Sequence, residues 1–183
     1  SKLVEDVELS RFKKKRLEDW QDIELCPICD SGNFEPFVER MGITYVRCLG
    51  CTHVFQNPVV KMSVAASLYA DDLTAFEIYT SNLQKDIDRK KYAYGLELIE
   101  NLGGCSNGSV LDIGCGAGVF LEVAKARGFK KCVGIDANDN YEKVYKETND
   151  IFFLSGTFEE LSAEKIGAPY DVVSMWSVLE HIY

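Results

Sequence analysis

The chain has 183 residues, 46% hydrophobic and 27% charged, which is enough apolar material for a packed core under an ordinary polar surface. Its net charge of −9 excludes a broad nucleic-acid surface, which would need Lys and Arg to neutralise phosphates. No apolar run reaches the roughly 18 to 20 residues of a membrane span, and the first residues lack the apolar stretch of a secretory signal.

In chain order, residues 1–22 are predicted to form a helix, with Leu3, Val7, Leu17 and Trp20 as its apolar positions. Its basic run, Arg11 to Arg16, is bracketed by acids and reads as a solvated face. Residues 23–60 carry two CxxC pairs, Cys26/Cys29 and Cys48/Cys51, with eighteen residues between them. Each pair can wrap one side of a metal, and four thiolates make the tetrahedral set that Zn²⁺ accepts. An iron site or a redox pair are the competing readings. With all four positions filled by Cys, a metal here would hold the fold and keep no open site for catalysis. "FEPFVER" and "ITYVRC" between the pairs have strand character, and His53 is read as a ribbon surface residue. Seven cysteines, an odd number in a chain of this size, fit a reducing, cytoplasmic compartment better than a secreted disulfide framework.

Residues 61–107 form a helical linker, with helices over 61–71 and 83–102. Ile87, Tyr94, Leu98 and Leu102 recur along the second, with Tyr92 and Leu96 nearby. The connection between them is read as a loop carrying Tyr69, Phe76 and Tyr79, either for function or for packing. "SVLDI" then reads as a buried parallel strand, "VFLEVAKARGF" as a helix burying Phe120, Leu121 and Ala124, and "KCVGID" as a second buried strand. In such a β-α-β unit the ligand lies beyond the carboxyl ends of the strands, and Asp136 is placed to accept both hydroxyls of a ribose.

The glycines choose among adenosine cofactors. The dinucleotide fingerprint GxGxxG fails because its third position falls on Val119. The sequence reads Asp112, Gly114, Gly116, Gly118 instead, and "VLDIGCGAGVFL" resembles the first motif of class I S-adenosylmethionine-dependent methyltransferases. "VGIDAN", "FFLSGTFEEL" and "YDVVSMWSVLEHIY" resemble the family's following motifs in the expected order over residues 108–183.

The resemblance implies an α/β fold: the N-terminal half of a Rossmann-like sheet, strand order 3-2-1-4, preceded by a small zinc ribbon. It implies S-adenosylmethionine as cofactor, held by Asp112, Gly114, Cys115, Gly116, Gly118, Asp136, Ala137, Thr157, Phe158 and Trp176, with Zn²⁺ on Cys26, Cys29, Cys48 and Cys51. The family often has Asp where Thr157 stands. His181 is the candidate general base, against a helix-start or pocket-wall role shared with Glu180 and Trp176. The expected acceptor is a small molecule such as a nucleotide-linked sugar; the alternatives are an rRNA or tRNA methyltransferase whose ribbon docks RNA, and a cofactor-binding fragment without turnover. Because the family sheet has seven strands, the chain is expected to be an N-terminal piece, and its fourth strand is expected to pair with another chain if nothing follows it.

Overall fold

The computed structural model describes residues 17–40, 42–70, 72–103, 107–146 and 150–181. The chain divides into two compact units between Ala65 and Ala66.

In the first unit, β1 (Trp20–Gln21) pairs antiparallel with β5 (Val59–Val60), both of whose valines are buried. Most of the predicted N-terminal helix, including Leu3, Val7 and the basic run, lies outside the described residues. Its last part is not helical: Leu17–Asp19 is a single 3₁₀ turn and Trp20 starts β1. The backbone of Asp19 and Trp20 is taken by the β5 side, where Lys61 N–H donates to Asp19 O at 2.8 Å. Between these strands lies a three-stranded antiparallel sheet in the order β2 (Phe34–Arg40), β3 (Ile43–Cys48), β4 (Val54–Gln56). The two strand predictions inside the ribbon coincide with β2 and β3.

Helix α1 (Met62–Ala70) covers the predicted 61–71. The second unit continues with α2 (Leu73–Thr80) and α3 (Asn82–Asn101). The expected loop over Phe76 and Tyr79 is therefore a helix. Its signal was the acid before it: the Asp72 carboxylate accepts from Ala75 N–H at 2.9 Å, the N-cap bond that starts α2. Ser81 then caps α3 by accepting from Gln84 N–H at 3.3 Å.

A four-stranded parallel sheet follows: β6 (Ser109–Ile113), β7 (Lys131–Asp136), β8 (Ile151–Ser155) and β9 (Val172–Met175), in spatial order β8-β7-β6-β9. This is the predicted 3-2-1-4. β6 and β7 are central and nearly all buried, whereas β9 lies at an edge of the sheet and alternates between half-buried and exposed residues, as a strand with one exposed face does. Helix α4 (Val119–Ala126) crosses from β6 to β7 and buries Val119, Phe120, Leu121 and Ala124. Short helices α5 (Glu142–Tyr145) and α6 (Ala163–Ile166) lie in the next two crossovers. One core layer gathers Leu96, Val110, Phe120, Leu121, Phe129 and Tyr145; the other gathers Leu111, Ile113, Val133, Ile135, Leu161 and Ile166.

Alternation along β6 explains the split, since Val110 faces one layer and Leu111 the other. Asp112 follows the Val110 side. Helix α3 buries Asp88, Gly95 and Leu96. Its apolar residues Ile87, Tyr94, Leu98 and Leu102 are exposed instead, so the helix is apolar on both sides. Among the described residues no helix is long and apolar enough to cross a membrane.

Candidate functional site

The turn after β6 occupies the carboxyl edge of the sheet. Four of its amides are spent inside the protein. Gly114 and Cys115 N–H both donate to Ile135 O, at 2.8 and 3.0 Å, and Gly118 N–H donates to Cys115 O at 3.0 Å. Gly116 N–H donates to Asp136 Oδ2 at 2.8 Å. A loop that cradles phosphate turns such amides outward to the anion at a helix N-terminus. This one turns them on its own carbonyls and on a carboxylate.

The three glycines have separate causes. A Cβ on Gly114 would stand 2.2 Å from Val178 Cγ2, and one on Gly118 would stand 2.7 Å from the Tyr145 hydroxyl. All three glycines also hold a positive φ, +70° at Gly114, +49° at Gly116 and +76° at Gly118. A Cβ on Gly116 would meet only the rim of Tyr141, at 3.9 Å. The clearance that the spacing suggested for a ligand thus belongs to Gly116, while Gly114 and Gly118 make room for the protein's own side chains.

Two carboxylates flank the turn, Asp112 buried and Asp136 half-buried. Asp136 ends β7 and accepts Gly116 N–H through one oxygen and Asn138 N–H, at 2.9 Å, through the other. Burial raises its pKa, opposed by those two amides. Asp112 is buried in β6 and accepts from the Ser174 hydroxyl at 2.7 Å. Burial pushes its pKa up to about 7; the Ser174 bond and the Lys91 charge pull it down, and the Asp136 charge pushes it up. A seat flanked by two acids, with the amides of Gly114, Cys115, Gly116 and Gly118 already bonded within the protein, fits a cationic guest. S-adenosylmethionine, with its sulfonium and ammonium groups, has that charge; a pyrophosphate does not.

Thr157 and Phe158 follow β8 at the same edge. Thr157 N–H donates to Glu160 Oε2 at 3.2 Å in the capping box of a 3₁₀ turn, and Phe158 is exposed. Ala137 follows Asp136 and is half-buried. Cys115 is buried, its pKa raised well above the ordinary thiol value by burial, so it is packing rather than nucleophile. Trp176 follows β9, whose register sets Met175 beside Ile113 and so carries Trp176 to the level of Gly114. His181 and Glu180 lie in the exposed 3₁₀ turn Leu179–His181, held by His181 N–H donating to Val178 O at 2.8 Å.

Asn138, Asp88 and Lys91 went unread in the sequence. Asn138 is buried, its Nδ2 donating to Asp72 O at 3.2 Å, and Phe76 packs on Tyr141 with ring centroids 5.3 Å apart. These contacts bring α2 to the Asp136 end of the site. Asp88 and Lys91 of α3 form an ion pair at 3.2 Å, with the Lys91 ammonium 4.4 Å from the Tyr92 ring centroid. A buried acid paired three residues away from a lysine on one helix was the available signal.

In the first unit, the four sulfurs of Cys26, Cys29, Cys48 and Cys51 all lie within 4.8 Å of one another. Two approaches run across the pairs, Cys26 to Cys51 and Cys29 to Cys48, both 3.6 Å. That is far beyond the roughly 2.0 Å of a disulfide. It is close to the edge of about 3.8 Å of a tetrahedron with metal–sulfur bonds of about 2.3 Å. A redox pair needs two sulfurs, whereas here all four are gathered within 4.8 Å of one another, so the geometry favours a metal tetrad.

A family profile described as "Methyltransferase domain" matches residues 79–183, more than half of the chain. The chain belongs to this methyltransferase family. The matched part contains α3, the parallel sheet and the glycine turn, which together form the class I sheet expected for it. Among curated proteins, the methyltransferase resembles a ubiquinone biosynthesis O-methyltransferase of Rickettsia conorii, 37% identical over 190 aligned positions that cover 98% of this chain and 61% of the relative. It also resembles one of Nitrosomonas europaea, 38% identical over 88 residues, 45% of this chain and 37% of the relative. The methyltransferase therefore spans less than two thirds of the length of these relatives. Among solved structures, the magnesium protoporphyrin IX methyltransferase of Synechocystis PCC 6803 with bound SAH has a TM-score of 0.47 and 20% identity, over 65% of this chain and 59% of that one.

Proposed function

We propose that this chain is the cofactor-binding portion of an S-adenosylmethionine-dependent O-methyltransferase acting on a hydroxylated small molecule. The observation that carries the reading is the inward-turned glycine loop between the buried carboxylate of Asp112 and the half-buried one of Asp136. The relatives' names supply the O-transfer. The nucleotide-linked sugar among the expected acceptors is not what those relatives are named for, and the acceptor class moves accordingly. The acidic ribbon, with Arg40 and Arg47 against Asp22, Glu24, Asp30, Glu35 and Glu39, supports a small molecule over RNA.

Asp136 would take the ribose hydroxyls on the lone pairs that its two amide bonds leave free, since a carboxylate offers about four acceptor sites. Asp112 would hold the ammonium end. Gly116 gives the guest close approach to the backbone. When bound, the cofactor supplies an electrophilic methyl on a positive sulfur. The chain's part is then to orient the acceptor oxygen and remove its proton. His181 is the proposed base, standing exposed just past β9 on the edge where the loop lies. Cys26, Cys29, Cys48 and Cys51 would bind one structural Zn²⁺. The open edge of β9 would pair with a further strand, from a second copy or from a longer chain; a strict monomer of 183 residues in light scattering would argue against a second copy.

Calorimetry tests the cofactor directly. S-adenosylhomocysteine is expected to bind and NAD is not, with binding lost in Asp136→Ala. Saturable NAD binding with no response to S-adenosylhomocysteine would overturn the reading.

A further inference from the structure

Trp176 is fixed with unusual care for a residue after an edge strand. Its ring lies 5.0 Å from Tyr92 and 5.6 Å from Phe120, centroid to centroid. Its benzo edge is pressed on Gly95 in the middle of α3, where a Cβ would come within 2.5 Å of Cη2 and 2.9 Å of Cζ2. Glycine inside a helix costs roughly 1 kcal/mol relative to alanine, and here it makes room for the indole. Yet the indole N–H so placed is buried and meets no acceptor among the described residues. Burying a donor without a partner is expensive, and Trp buried in proteins usually finds one.

The surroundings say what kind of partner is wanted. Trp176 shares the β9 face with Ser174, whose hydroxyl donates to Asp112, and stands level with Gly114 at the carboxyl edge. The Lys91 ammonium lies 5.8 Å from the Trp176 ring centroid, and is one of the charges felt by Asp112. The cation stands over the indole face, paired with Asp88 at 3.2 Å, on the side of the acid that would hold the ammonium group.

We propose that Trp176 Nε1–H, with Lys91 beside it, is a subsite for an anionic oxygen of a bound ligand. The chemistry required is a carboxylate or a phenolate: an acceptor-only oxygen that completes the indole and is drawn by the lysine. Two sources offer it, the carboxylate at the amino-acid end of the cofactor and the ionised hydroxyl of the methyl acceptor. The inference rests on the cofactor reading above.

The chain has two tryptophans, Trp20 and Trp176, so a ¹⁵N-indole spectrum has two N–H signals, assigned with Trp176→Phe or, should that variant not fold, Trp20→Phe. Addition of S-adenosylhomocysteine is expected to move the Trp176 signal downfield and slow its exchange with solvent, leaving Trp20 as the internal control. If methylthioadenosine, which lacks the amino-acid end, binds without moving it, the oxygen is the cofactor's. If the signal moves only when catechol is added to the loaded protein, the oxygen is the acceptor's. In either case Trp176→Phe is expected to weaken the ligand that moves the signal by roughly tenfold or more, the factor for losing a bond to a charged oxygen. S-adenosylhomocysteine that binds by calorimetry with the Trp176 signal stationary throughout, catechol included, overturns the subsite alone. No binding of S-adenosylhomocysteine removes both the subsite and the reading beneath it.

Discussion

Asp171 accepts from both the amide and the hydroxyl of Ser109, at 2.7 and 2.8 Å, and so ties the residue that opens β6 to the one just before β9. The contact needs Gly108, where a Cβ would stand 2.6 Å from the same Asp171 oxygen. The two Ser109 donors hold the Asp171 carboxyl below its ordinary value, the amide contributing most. A lowered native pKa means stability present above the ordinary carboxyl range and lost as pH falls through the native value. Acid titration of unfolding is expected to show that loss below about pH 4 in the wild type and a smaller one in Asp171→Asn, measured by urea denaturation at stepped pH.

Asp112 has the opposite sign. Its pKa stands at about 7 in the fold and 3.8 in its ordinary state, because burial penalises the charge. The stability it supports is complete below the ordinary value and is lost as pH rises from there through 7, by on the order of 4 kcal/mol. Asp112→Asn keeps an acceptor for Ser174 and is expected to flatten the decline between pH 4 and 7. A cationic ligand should reverse the preference, so binding of S-adenosylmethionine, which carries a sulfonium as well as an ammonium, is expected to release protons near pH 6, read as a buffer-dependent enthalpy.

Gly95→Ala pits helix propensity against space. Alanine gains roughly 1 kcal/mol in the helix, but the new Cβ meets Trp176 at 2.5 Å, and overpacking of this kind costs about 1 to 3 kcal/mol. The single variant is expected to lose net stability in denaturant titration. Gly95→Ala combined with Trp176→Phe is expected to recover part of that loss, because the ring atoms in the way are gone.

The four-cysteine site should bind one Zn²⁺ per chain by elemental analysis. Stripping it with a chelator, or Cys48→Ser, is expected to remove the ordered β2–β4 spectrum. The parallel sheet should persist, since it lies in the second compact unit and no strand of the ribbon pairs with it among the described residues.

The parts of this fold that the sequence made legible are those where one residue type has one cause. The ribbon strands are bounded by metal-type cysteines and turns, and "SVLDI" and "KCVGID" are apolar runs that end in glycine or acid. Illegible were features with two competing causes. Ile87, Tyr94, Leu98 and Leu102 form an apolar stripe, but the sheet claims the face with Leu96 and Gly95, because Trp176 needs the glycine. Spacing cannot rank two apolar faces. Glycine is equally ambiguous: three at alternate positions suggested ligand clearance, while Val178 and Tyr145 occupy the space at two of them. The site residues of the glycine motif were readable from order alone; Lys91, Asp88 and Asn138 were not, since helix packing brings them in.

The double-sided character of α3 has a practical consequence. Leu83, Ile87, Tyr94, Leu98 and Leu102 are each at least 46% exposed, so the chain carries a greasy ridge along its longest helix. Polar replacements there, Leu83→Gln and Leu98→Gln, are expected to raise the concentration at which the protein stays dispersed in static light scattering while leaving its melting temperature in place. The same replacements on the opposite side, at Leu96, would dissolve the fold instead of the aggregate.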